Sequence, residues 1–254
     1  KQYNSLFDSA SNVTAGNSTL QTRVNEARIG LDFATLEFYR LNKSGFPLSD
    51  AQNINKRIDR FTNATNTQGI KIINEMGLPL TDYLQGYQKL VASSKEVNVA
   101  KNAKVNLAIK PVKYAKEDPQ ALTDGAFGGW SFYANWLGFL DDMKATIDLG
   151  AVSNFSQVSV SFLQVTNHVV FFPTAVTFET SEDGINYTPI QTVENVFPLA
   201  KTSKINDIQV FATASKSQKA RFIRVTGKNM KSPPYWHHAA GTGAWIFADE
   251  IVVK

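Results

Sequence analysis

The side chains able to do chemistry crowd into one half of this chain. All four Trp (130, 136, 236 and 245) and all three His (168, 237 and 238) lie beyond residue 125 of 254. Two stretches concentrate them. One runs from Leu122 to Phe139 and holds Asp124, Gly125, Gly128, Gly129, Trp130 and Trp136. The other runs from Asn229 to Gly243 and holds Pro233, Pro234, Tyr235, Trp236, His237 and His238. Both are too irregular for a sheet, and long loops with large aromatics are where binding surfaces form. Catalysis is not expected from this chain. Hydrolysis by paired carboxylates needs two acids a set distance apart in a cleft. Asp141 and Asp142 are adjacent, so in an extended segment they point opposite ways, and Glu182-Asp183 read as a solvated turn. His237 and His238 near Ser232 match no nucleophile motif. No His/Asp cluster has metal-ligand spacing. With no Cys there is no disulfide, thiol catalyst, zinc–thiolate site or iron–sulfur cluster.

These residues need elements to hold them. The 43% hydrophobic and 19% charged content is that of a globular chain. The length allows one large domain or two small ones. A formal charge of +4 without a basic block gives no reason to expect nucleic acid. No apolar run reaches the roughly 18–20 residues of a membrane span. Composition changes along the chain, since seven of nine Pro lie after residue 110. Two parts are expected, 1–95 and 96–254.

The first part reads as helical. Leu20, Val24, Ala27, Leu31, Ala34, Phe38 and Leu41 are spaced four and three apart, which places them on one stripe. Ser18 with Gln21 reads as a capping box, Gly45 and Pro47 as an end, and Ser49 with Gln52 as a second start. Ala51, Ile54, Ile58 and Phe61 mark a second helix, with Ile72 and Met76 as an extension. Thr81 reads as the cap of a third, burying Tyr83, Leu84, Tyr87 and Leu90. Residues 3–10 add a short helix in front. The expectation is a small antiparallel bundle, its stripe facing the core or forming an oligomer seam.

In the second part the period becomes two. Val97, Val99, Val105, Leu107 and Ile109 alternate with polar residues. Further strands are expected near 144–148, 156–165, 174–180, 187–193, 205–213, 220–226 and 244–252. Asp183-Gly184 is a hairpin signal. Short strands with frequent turns predict an antiparallel β-sandwich or jelly roll. Trp245 and Phe171-Phe172 read as core. The whole is α+β: a small helical bundle followed by an all-β sandwich.

The second part also resembles a known family. Leu122-Thr123-Asp124-Gly125, Trp136-Leu137-Gly138-Phe139 and Ile147-Asp148-Leu149-Gly150 look like the opening of a discoidin domain, the coagulation factor V/VIII type C (F5/8 type C) family. Ser181-Glu182-Asp183-Gly184, Ala220-Arg221-Phe222-Ile223-Arg224-Val225 and Ala248-Asp249-Glu250-Ile251 follow in the family's order. Trp236-His237, Gly241 and Ala244-Trp245-Ile246-Phe247 resemble the subgroup fused to hexosaminidases. Arg23-Val24-Asn25-Glu26-Ala27-Arg28 is similar to the segment after the catalytic barrel of bacterial α-glucuronidase-like proteins.

The resemblance implies an eight-stranded jelly roll, a structural calcium near the chain ends, and glycan binding by loops at one end. For calcium, which takes six to eight oxygens, Asp124 and Glu250 would supply carboxylates, and Ala121, Ala126 and Gly129 backbone carbonyls. The bland alternative makes Asp124 a turn cap and Glu250 a surface charge. The loop departs from the family's pattern at Phe127, Gly128 and Gly129. For a glycan, Trp130, Trp136, Tyr235 and Trp236 would supply an aromatic face, and His168, His237, His238 and Asn135 hydrogen bonds. The alternative is that these aromatics pin loops to the sandwich. The chain is thus expected to be the non-catalytic end of a secreted or periplasmic bacterial glycoside hydrolase, or one attached to the cell surface. A polysaccharide or host glycan and an upstream catalytic domain would be its partners. Lys1, with no Met or leader, fits an excised piece. The competing expectation is a structural buttress without sugar binding. Membrane binding is not expected, since the loops lack a basic-flanked apolar spike.

Overall fold

The computed structural model describes residues 2–40, 51–75, 77–93, 97–112, 117–129, 135–197, 199 and 207–254. Trp130, Leu41, Gly45, Pro47, Ser49 and Met76 lie outside the described residues. The chain forms two compact units, residues 1–95 and 96–254. The first is helical and the second is a sandwich of two antiparallel sheets.

The helical unit contains α1 (Gln2–Val13), α2 (Ser18–Arg40), α3 (Ala51–Thr67) and α4 (Leu80–Ser93). Ile54, Ile58 and Phe61 of α3 and Tyr83 and Tyr87 of α4 are buried, as their spacing predicts. Phe33 of α2 packs on Phe61 and Tyr83, with ring centroids 6.2 and 5.7 Å away. The stripe on α2 is not the buried face. Leu20, Ala27, Ala34 and Phe38 are exposed, Phe38 at 67%, whereas Arg28, Asp32 and Leu36 are buried. A charge network explains this. The Asp32 carboxylate accepts Arg60 Nε at 2.7 Å and Nη2 at 2.6 Å, and also Arg57 Nη1. Paired charges can be buried when their hydrogen bonds are met, so a polar ridge turns inward.

Helix ends differ from expectation too. Asn17 Oδ1, not Ser18, accepts the Leu20 amide at 3.0 Å, and Gln21 donates to Ser11 O and Thr14 Oγ1 instead of closing a capping box. Thr81 lies inside α4 rather than capping it. Ile72 is exposed in an isolated bridge to Pro79, beyond the end of α3.

Among the described residues the sandwich has nine strands: β1 (Lys104–Leu107), β2 (Leu137–Phe139), β3 (Met143–Phe155), β4 (Val158–Gln164), β5 (Ala175–Ser181), β6 (Thr188–Glu194), β7 (Asp207–Ala212), β8 (Gln218–Gly227) and β9 (Ile246–Val253). One sheet has the order β1-β3-β8-β5-β6 and the other β2-β9-β4-β7. Met143, Ala145 and Ile147 of β3, Ile223 and Val225 of β8, and Val158, Val160 and Phe162 of β4 meet in the core. The β5–β6 hairpin turns at Asp183-Gly184, where Gly184 has φ +74°. Asp183 accepts the Ile185 and Asn186 amides at 2.8 Å each, which hold its carboxyl far below the usual range. Leu137–Phe139 corrects the expectation that 122–139 is loop throughout: these three residues pair with β9.

In β9 the core positions are Ile246 and Ala248, then Ile251 and Val253. The phase slips by one because a bulge sets Glu250 opposite no partner: Val160 pairs with Ile251 and Ser161 with Asp249. A bulge of this kind turns two successive side chains to one side. Asp249 and Glu250 therefore share the face away from the inter-sheet core.

Candidate functional site

The bulge brings acids to the loop that precedes β2. Asp249 and Glu250 are each 1% exposed. Glu250 Oε2 accepts the Gly125 amide at 3.0 Å, and Oε1 accepts Asn98 Nδ2 at 3.2 Å. Asp249 Oδ2 accepts the Gly128 amide, while its Oδ1 is buried without a hydrogen-bond partner. Asp124 Oδ1 accepts the Ala126 amide at 2.9 Å. Burial pushes the Glu250 carboxyl up to about 8, and the nearby Asp124 charge adds to the rise. Burial and the Glu250 charge push Asp249 well above the usual range. Glu250 is thus not a surface charge. Asp124 does cap its turn, and it also belongs to a cluster of three carboxylates.

This loop aims amides at the acids. Two buried carboxylates near Asp124, one of them with an oxygen lacking a hydrogen-bond partner, would suit an oxygen-ligated ion such as calcium. Among the described residues no three acidic, His or Cys side chains form a metal cage by themselves. Main-chain carbonyls would have to complete the shell. The Gly129 carbonyl already accepts the indole N–H of Trp136 at 2.8 Å. Asp249 and Asn98 were not singled out in the sequence. The available signal was two consecutive acids inside the apolar run 246–253.

Trp136 does not belong to any surface site. It is fully buried and lies across Gly128, where a Cβ would sit 2.3 Å from the indole. Leu163, Val165, Val170 and Phe247 surround it, with half-buried Trp245 packed against them. No sugar can reach its face.

The loop between β8 and β9 is anchored at its base. Asp141 and Asp142 both accept from Lys231 Nζ, because a bend between β2 and β3, not an extended segment, turns them the same way. The Lys231 ammonium holds Asp141 below the usual carboxylate range. Asn229 N donates to Asp142 Oδ1 at 2.9 Å and its Nδ2 to Ala244 O at 2.9 Å. Further along, His237 is buried. Its Nδ1 accepts the Ala239 amide at 3.1 Å, so Nε2 carries the proton and donates to Thr166 O at 2.7 Å. Both ring nitrogens are spent, and His237 is a pin between loops rather than a sugar ligand.

That pin joins the 229–245 loop to the turn Thr166–His168 between β4 and β5. Val169 ends the turn at φ 58°, a left-handed conformation costing a β-branched residue about 1–2 kcal/mol. Its carbonyl accepts the Trp245 amide at 2.8 Å, which helps hold it there. The outward residues of this end are Tyr235 (92% exposed), half-buried Trp236, His168 and His238. Of the residues expected to meet a sugar, the structure keeps Tyr235, Trp236 and His168 at the surface of one loop pair. It withdraws Trp136 and His237.

A family model described as F5/8 type C domain matches residues 102–246, and the chain belongs to this family. No curated protein matches the chain. Among solved structures, it is similar to chitosan-binding module 1 of a chitosanase/glucanase from Paenibacillus sp. IK-5, at 16% identity and a TM-score of 0.41, over 63% of this chain and 99% of that one. It is similar to the module CpGH89CBM32-6 of Clostridium perfringens, at 17% identity and a TM-score of 0.39, over 62% of this chain and 98% of that one. A Ruminococcus gnavus GH29 fucosidase in complex with fucose matches at 15% identity and a TM-score of 0.41, over 70% of this chain and 31% of that one.

Proposed function

We propose that this chain is the non-catalytic part of a secreted or periplasmic bacterial glycoside hydrolase, and that its sandwich is a calcium-bearing carbohydrate-binding module. The observation that carries the reading is the pair of cross-pinned loops that presents Tyr235, Trp236, His168 and His238 outward. An aromatic ring suits the C–H face of a sugar, and imidazoles beside it suit the hydroxyls. Pinning lowers the ordering cost of binding. Weak binding of a polysaccharide or host glycan would raise the local concentration of a catalytic domain in the same polypeptide.

Asp124 and Glu250, with the carbonyls of Ala121 and Ala126, would hold the calcium. The ion would supply positive charge to a buried acidic cluster and tie the 121–129 segment to β9. Calorimetric titration over a glycan panel tests the module. Tyr235→Ala and Trp236→Ala should each weaken binding of any sugar that responds. No response to any glycan, with and without calcium, sinks the reading.

A buttress role has its own support in the helical unit. Tyr3 and Leu6 on α1 and Phe38 on α2 are exposed apolar side chains, and an upstream domain could cover them. That role and glycan binding are compatible, since they use different units.

A further inference from the structure

Asp249 is costly where it stands. A buried carboxylate is destabilising unless a cation or full hydrogen bonding offsets it, and this one has an oxygen with no partner. An amide of the same shape could accept the Gly128 N–H without burying a charge. The carboxylate occupies a particular place, however. Gly128 is gripped from two sides, by Asp249 Oδ2 from β9 and by the Trp136 ring, whose indole N–H also holds Gly129 O. Residues 125–129 are the same loop that meets Glu250 through Gly125 and Asp124 through Ala126.

We propose that Asp249 is a positioning residue of the calcium site: it fixes the Gly125–Gly129 loop against β9 and adds a third negative charge beside Asp124 and Glu250. The assignment rests on the calcium reading above. Asp249 acts through the loop and through its field. Trp136 completes the clamp, which is why residue 128 must be glycine. Outer-shell partners of metal ligands commonly change affinity by about 10–100-fold, and Asp249 should fall in that range.

The test is calcium calorimetry on the whole chain, with melting temperatures measured in chelator. Glu250→Gln examines the calcium reading itself and should abolish binding. Asp249→Asn keeps the shape and the Gly128 bond and removes the charge. It should weaken calcium binding by about 10–100-fold while raising the melting temperature of the calcium-free protein. A merely structural residue would move both in the same direction. Asp249→Ser serves if the Asn variant does not fold, with the same expected loss of affinity. Wild-type affinity in Asp249→Asn, alongside loss in Glu250→Gln, overturns the assignment and leaves the calcium site standing. A wild-type chain that binds no calcium overturns both.

Discussion

The Glu250 carboxyl ties the stability of the sandwich to pH in a calculable way. Its ordinary pKa of 4.5 rises to about 8 in the fold, chiefly through burial. The folded protein therefore holds this proton more tightly than the unfolded chain. The stability it contributes is complete below pH 4.5 and drains away as pH rises toward 8. At 1.36 kcal/mol per pH unit, the calcium-free protein loses about 3 kcal/mol by pH 7 and about 5 kcal/mol above pH 8. Asp249 adds a slope of the same sign. Glu250→Gln locks in the neutral form. At pH 7 in chelator it should be about 3 kcal/mol more stable than wild type, roughly 6–12 °C for a unit of this size. Its stability should also fall less steeply with pH. Tryptophan emission is a selective readout, because all four Trp lie in the sandwich unit. Calcium should raise the wild-type midpoint at pH 7 and leave the variant unmoved. Equal midpoints for the two calcium-free proteins across pH 5–8 would refute the argument that this charge is buried at a cost.

Other perturbations separate structural from binding roles. Trp136→Ala empties a fully buried site and should cost about 3–5 kcal/mol in denaturant unfolding. Tyr235→Ala should leave the melting temperature within about 1 °C, since the ring is 92% exposed, while lowering glycan affinity. Asp32→Ala strips three guanidiniums of their shared carboxylate and should cost the helical unit about 3–5 kcal/mol, read as loss of helical circular dichroism at lower denaturant.

The strands were legible because each side of the sandwich meets different surroundings. The strand expected near 144–148 alternates buried and half-buried residues along the start of β3, and the Asp183-Gly184 turn carried through to the structure. Leu137–Phe139 was hidden, since three residues buried throughout show no period. On α2 the arithmetic of apolar spacing picked the wrong face. Burial there follows Arg28 and Asp32, whose partners Arg57 and Arg60 are far off in sequence. Glu250 was found through family resemblance, and Asp249 was missed because only the bulge turns both acids the same way. Tyr235 and Trp236 were visible as costly aromatics in a loop. His237 looked identical to them in sequence, and only its two hydrogen bonds reveal its inward role.

The bulge also separates the inheritance of the fold from that of the acidic cluster. Removing one residue from the middle of a central strand ordinarily throws every later side chain to the wrong side. In β9 the reverse holds, because Glu250 is the residue without a place in the ladder. A chain lacking Glu250 would bring Ile251 and Val253 into unbroken alternation with Ile246 and Ala248. A single-codon deletion could therefore strip the cluster of one acid and leave a sheet as regular as before, so descendants of this sandwich can lose the site in one step while keeping the scaffold.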